Sequence, residues 1–400
     1  IAGQLPAPAP FLLVWFAAGV YALLGAISLA ELGTMIPRSG GQYVFSRYAL
    51  GEYAGFIVGW SDWISSCGST AAVALLIGTF SATLIPALAG KAVATAAGVA
   101  ILFALLQWRG IIWGSNIQNF TSLVKALAFL ALIAAGFIFG GGGSFTTSET
   151  HATSAITLTA VIFSLQAAIY TYDGWAGVIY FSEEVKHPGR DIPRSLLAGV
   201  LTIAGIYILV NVALLYVLPI SQIAGKEFAA GEAANAIFGT NGDTIFRCLT
   251  IASMLSGINA LHLMATRVIF AMSRDGLFTS KAAVVNEGGT PTVALFLSAL
   301  VALLFIVFGQ TFGSVIGVLA FFFVANYILS FISLFVLRRR EPEKPRPYRA
   351  WGYPVTTALA LIGSVLFLAG AIWAETEKSM YALLLLAVSY PVFRLVKWFS

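Results

Sequence analysis

Apolar residues run in long blocks along this chain, and short polar segments separate them. A helix needs about 20 mostly apolar residues to cross a bilayer. Eleven stretches meet that demand: 11–36, 51–80, 92–108, 116–140, 156–182, 194–218, 244–273, 291–309, 312–337, 354–374 and 379–399. Barrel strands would be shorter and would alternate polar with apolar positions, so the pattern predicts helices. A helix also satisfies its own backbone polar groups, which lipid demands.

Composition fits this reading. Of 400 residues, 59% are hydrophobic and 10% charged, against about 25% charged in soluble domains. Many of the 39 glycines fall inside the apolar blocks, where they permit close helix contacts and breaks. Ile1–Pro10 lacks a basic region followed by an apolar core, so it is not read as a signal peptide.

Charge orients the stack. Arg38, Arg47, Arg109, Lys186, Arg190, Arg194, Arg274, Lys281, Arg338 to Arg340, Lys344, Arg346, Arg349, Arg394 and Lys397 fall in one alternate set of loops. The opposite set holds only Lys91, Lys226, Arg247 and Lys378. This bias assigns the first set to the cytoplasm, with Ile1 outside and Ser400 inside. The expected location is the inner (plasma) membrane, with lipid as the surrounding partner. The net charge of +5 is spread over topology-setting loops, which excludes a nucleic-acid partner. The two cysteines, Cys67 and Cys248, form neither a disulfide framework nor a metal-binding spacing, and no cofactor is called for.

Chemistry then stands out wherever polarity enters an apolar block. Lys125 sits in the middle of 116–140, where a cation costs about 2.5–3.5 kcal/mol. It reads either as a lysine paired within the bundle or as a fixed cation at a coupling site. In 156–182 the run Tyr170-Thr171-Tyr172-Asp173-Gly174-Trp175 interrupts the apolar pattern. Transporter helices broken near the midplane look like this, and the unwound backbone can hold a charged guest. A half-helix N-terminus beyond the break would favour a carboxylate. Asp173 either touches the substrate or caps the second half-helix. Ser65, Ser66, Ser69 and Thr70, then Ser253, Ser256 and Asn259, then Asn326 with Tyr327 are further polar positions at membrane depth. Each reads as an interhelical hydrogen bond or as a pocket contact. Glu183 and Glu184, beside Lys186, Arg190 and Arg194, read as a cytoplasmic gate of ion pairs or as a charged loop.

Several of these motifs resemble the amino acid–polyamine–organocation (APC) transporter superfamily. They are Ala30-Glu31-Leu32-Gly33 with Ile36-Pro37-Arg38-Ser39-Gly40-Gly41-Gln42-Tyr43, Gly59-Trp60, and Tyr172 to Trp175 with Glu183-Glu184-Val185 and His187-Pro188. Ser273-Arg274-Asp275-Gly276 and Arg346-Pro347-Tyr348-Arg349 with Gly352-Tyr353-Pro354 complete the set. The chain is similar to the branch of bacterial alanine/serine/cysteine exchangers and L-type transporters. The resemblance implies an all-α membrane protein with the LeuT-like fold of five plus five helices in inverted repeat. One transmembrane domain then fills 1–400: 11–140 is the remainder of the first repeat, 156–337 the second, and 354–399 two additional helices. On that numbering the block 11–36 is the family's second helix. The family's first helix, which carries a glycine-rich break, has no counterpart among these blocks.

The resemblance also assigns roles. Tyr170 falls at an aromatic gate, Asp173 and Gly174 in an unwound segment, and Tyr327 at a pocket position of the family's tenth helix. Lys125 looks like a substitute for a sodium ion, with Ser256 beside it. The segment from Phe80 to Lys91 has no cysteine, so no disulfide-linked heavy chain is expected. The function implied is sodium-independent exchange or proton-coupled transport of small neutral amino acids by alternating access. Asp173 is the one acidic residue expected in the pocket, which favours a neutral over a cationic substrate. The alternatives are a cationic amino acid or polyamine transporter, or a channel or sensor on the same fold. An intramembrane aspartyl protease is disfavoured, because the other aspartate considered, Asp243, falls in an expected external loop.

Overall fold

The computed structural model describes residues 1–109, 112–146, 156–226, 228–374 and 376–399; for 112–122, 125, 146 and 399 it describes the backbone alone. Among the described residues fifteen α-helices follow one another. They are α1 (Pro8–Met35), α2 (Gln42–Leu50), α3 (Glu52–Leu84), α4 (Ala92–Arg109), α5 (Ile112–Phe139) and the single turn α6 (Gly143–Thr146). Then come α7 (Leu158–Tyr172), α8 (Pro188–Val217), the single turn α9 (Ile220–Ile223), α10 (Ala229–Phe238) and α11 (Gly242–Arg274). Last are α12 (Thr292–Gly309), α13 (Phe312–Arg340), α14 (Val355–Ala374) and α15 (Thr376–Phe399). Among the described residues nine helices are long and apolar enough to cross a membrane, and Ala126–Phe139 forms a shorter apolar helix.

Each expected block falls on helix, but 156–182 is divided. α7 stops at Tyr172, and a short 3-10 helix over Gly177–Glu184 takes the place of a second α-helical half. The loop helices α2 and α10 were not foreseen. Helix starts follow local chemistry. Pro8 and Pro188 open α1 and α8, where a missing N–H costs nothing. Thr157 and Thr311 cap α7 and α13 through their hydroxyls.

α3 is the central element and packs on α11, α13, α4, α2 and α12. α1 packs instead on α8 and α7. Small residues make these approaches possible. Gly19 on α1 faces the Tyr172 hydroxyl, Gly25 faces the Trp175 ring, and Gly33 faces Ile192 and Ile179. α1 therefore cradles the segment that follows the break. Outward faces of α12 and α14 expose Leu300, Phe308, Leu366 and Trp373, which lipid would cover.

The arginine-rich end is tied together by ion pairs. Glu31 is fully buried. Its carboxylate accepts from Arg338 Nη2 at 2.6 Å and from the Ala350 N–H at 2.7 Å. Arg346 Nε lies 3.1 Å from the other oxygen, close but not aligned as a hydrogen bond. Asp275 collects Arg38 and Arg47, each at 3.1 Å, and the Tyr43 hydroxyl at 2.9 Å.

Candidate functional site

The break after α7 has a local cause. Asp173 leaves the helix with extended backbone (φ −61°, ψ 156°), and Gly174 follows at φ 100°. That left-handed conformation favours glycine. The turn closes with the Gly177 N–H on the Gly174 carbonyl at 3.1 Å. The last carbonyls of α7 lose their helical donors, and one of them, that of Thr171, accepts from the Tyr207 hydroxyl at 3.0 Å.

A cavity of about 570 Å³ opens against this break. Tyr170, Thr171, Asp173, Gly174, Ser66 and Tyr327 line it. The Asp173 carboxylate accepts from the Tyr327 hydroxyl at 2.6 Å. Asp173 sits at the C-cap of α7, while Ala176 occupies the N-cap of the 3-10 helix. The cap role considered for the second half-helix therefore does not apply. Tyr327 also stacks on Trp175, with centroids 5.3 Å apart. Tyr170 packs between Phe312 and Phe323.

Other candidates fall elsewhere. Tyr172 turns away from the cavity lining and packs between Trp15 and Tyr207. Asn326 is buried behind the wall, where it accepts from the Ser61 hydroxyl at 2.5 Å. Ser256 is buried on α11 and is not part of the lining. The Lys125 backbone continues α5, and its side chain lies outside the described residues. Glu183 pairs with Arg274 at 3.0 Å and Glu184 with Arg267 at 2.5 Å. Arg190 joins neither; its guanidinium pairs with Asp191 at 2.7 Å, at the exposed start of α8.

The structure corrects one expectation. Asp173 is not the sole acid of the pocket, because Asp62 on α3 lines the same cavity. Asp62 is 2% exposed and accepts from the Tyr180 hydroxyl at 2.7 Å. The clue was present in the sequence. Asp62 lies eleven residues into the block 51–80, about 16 Å along the helix axis. An ionisable group at that depth calls for the same scrutiny as Lys125. Gln42, Ser69 and Tyr207 also line the cavity.

A helical bundle with a discontinuous helix opening on a cavity that holds two carboxylates is the arrangement membrane transporters use. The family model for amino acid permeases matches residues 2–390. The chain belongs to the amino acid permease family. This permease is a multi-pass membrane transporter of amino acids, not an enzyme. It is 28% identical to the serine/threonine exchanger SteT of Bacillus subtilis (strain 168) over 389 residues, covering 96% of this chain and 87% of that one. It is 26% identical to the b(0,+)-type amino acid transporter 1 of Oryctolagus cuniculus over 347 residues, covering 84% and 70%. It is also 26% identical to the large neutral amino acids transporter small subunit 2 of Mus musculus over 407 residues, covering 97% and 74%.

Proposed function

We propose that this permease carries small neutral amino acids as zwitterions, without sodium, by alternating access through the cavity at the α7 break. The observation that carries the reading is the end of α7 at Tyr172 with Gly174 at φ 100°, both Asp173 and Gly174 lining the cavity. Free carbonyls at a helix end attract an ammonium group, and N–H groups of the following turn attract a carboxylate. In this proposal Tyr170, Thr171, Gly174, Ser66 and Tyr327 surround the substrate. Tyr172 and Asn326 act from behind as supports. A relative named for serine and threonine exchange supports the small-substrate preference.

The arginine-rich end is taken as cytoplasmic, in the plasma membrane, with the C-terminus on that side. The cavity extends toward Phe312 at the opposite end of α13, while the Glu183–Arg274 and Glu184–Arg267 pairs span the arginine-rich end. In this proposal the carrier stands closed at the arginine-rich end. Lys125 with Ser256 is proposed to replace a sodium site, and residues 11–140 and 156–337 to form the two inverted repeats. A covalently attached heavy chain is not part of the proposal, since neither Cys67 nor Cys248 lies between Phe80 and Lys91.

The test is counterflow. Vesicles holding the purified protein and unlabelled amino acid are given labelled amino acids one at a time, in sodium-free buffer. Labelled serine, threonine or alanine should enter transiently above equilibrium. Absence of counterflow for every amino acid would overturn the proposal, and entry of lysine or arginine alone would replace the neutral substrate with a cationic one.

A further inference from the structure

The cavity contains more negative charge than a zwitterion needs. Among the described residues its lining holds two carboxylates, Asp62 and Asp173, and no lysine, arginine or histidine. One substrate ammonium offsets one carboxylate. The second, buried in a low-dielectric wall, costs several kcal/mol if ionised and uncompensated, by the usual penalty for an unpaired buried charge (about 3–5 kcal/mol).

Asp62 is the unbalanced one. Its Oδ1 accepts from Tyr180, and its Oδ2 is buried with no hydrogen-bond partner among the described residues. The groups that share the cavity with it come from several elements. The 3-10 helix supplies Tyr180, the α7 break Asp173, α13 Tyr327, and α2 the uncharged Gln42. α11 contributes Met254, Leu261 and Met264 to the lining, and α12 places Ser298 on the neighbouring Trp63. None of these brings a cation. Oδ2 has almost no accessible surface, so an ammonium group has no room to reach it in this state, whereas a proton does.

We propose that Asp62 is a proton-binding site of the transport cycle, so that one proton enters with each neutral amino acid. The proton reaches the carboxyl group when the cycle opens it to water on one side and leaves to water on the other, and nothing else is consumed. The bond from Tyr180 to Asp62 gives the coupling a mechanical basis. It joins α3, packed on α11, α13, α4 and α12, to the 3-10 helix that continues from α7 and lies on α8 and α11. Any movement of the 3-10 helix relative to α3 changes what surrounds the carboxyl group.

This inference deepens the transport reading and rests on it. Vesicles are loaded with the pH-sensitive dye pyranine, clamped at zero membrane potential with valinomycin and potassium, and kept free of sodium. Adding a substrate found by counterflow should acidify the lumen. Asp62→Asn should abolish the acidification and leave a counterflow rate that no longer varies with pH. Tyr180→Phe removes a donor that favours the ionised carboxylate, so its uptake profile should move to higher pH. Asp62→Glu, which keeps a titratable group, should keep the acidification. Counterflow without acidification in the unmodified protein would overturn the proton site and leave the transport reading intact. Acidification that survives in Asp62→Asn would also overturn it. Loss of all counterflow in the unmodified protein would instead remove the transport reading itself. If Asp62→Asn fails to fold, the unmodified protein and Tyr180→Phe still decide the matter.

Discussion

Glu31 offers the sharpest test of how the arginine-rich end is built. Its carboxylate is fully buried and holds α1 to the end of α13 and to the segment before α14, through Arg338, Arg346 and the Ala350 N–H. Removing one partner of a buried pair costs about 3–5 kcal/mol, because the charges left behind stay uncompensated. The two arginines are not equally stranded by the loss. Arg346 keeps the carbonyls of Pro342, Lys344, Leu337 and Glu341. Arg338 is 21% exposed and lies over the Tyr353 ring at 4.4 Å, so it finds water and an aromatic face. Glu31→Gln, which still accepts from Ala350, should therefore fall at the low end, about 3 kcal/mol. Glu31→Leu, which strands the Ala350 N–H as well, should fall at the high end, about 5 kcal/mol. At about 1.4 kcal/mol per tenfold, the weaker change raises opening of residues 345–353 by about a hundredfold. Hydrogen exchange of that segment, measured on the protein in nanodiscs, reads this directly. Arg190→Ala, which breaks an exposed pair at the start of α8, is the control and should leave the segment unchanged. Equal protection in Glu31→Gln, Glu31→Leu and the unmodified protein would refute the reasoning.

Gly174→Ala should weaken transport without a steric clash, since nothing lies within 4 Å of the added carbon and the penalty is the backbone at φ 100°. About 1–2 kcal/mol of strain should appear as a loss of thermal stability of that size, and relief of the strain by a shift of the break should raise the counterflow KM. Gly41→Ala meets both a φ of 70° and the Tyr180 ring, so the ring must move off Asp62; the pH profile of uptake should shift in the same direction as in Tyr180→Phe. Arg267→Glu should loosen the arginine-rich end, and the double exchange with Glu184→Arg should restore it. Glu184 is 54% exposed, so solvent screening limits the pair to about 1 kcal/mol, a fivefold change in labelling of a cysteine placed at that end.

What could be read from the chain divides along physical lines. The expected helices follow from burial in lipid, a property of about 20 residues at a time, and such averages survive local errors. The break in 156–182 was legible for a different reason: Asp173-Gly174 inside an apolar run violates both helix propensity and lipid solubility. The nature of the second half was not legible. Nothing in Gly177–Glu184 distinguishes a 3-10 helix from an α-helix, and its Ile179 and Tyr180 approach Gly33 and Gly41 of distant segments. Pairings across the bundle were hidden for the same cause. Glu183 and Glu184 find Arg274 and Arg267, some ninety residues away, while sequence proximity favoured Arg190. Asp62 escaped notice because Ser61 and Trp63 on either side make it look like one polar turn of a long helix. Only the fold sets it beside Tyr180 and across one cavity from Asp173. A charge at membrane depth is therefore a statement that a partner exists, and the sequence withholds which element supplies it. Where the described residues supply one neutral donor, as for Asp62, the proposed remaining partner is a proton that comes and goes with the transport cycle.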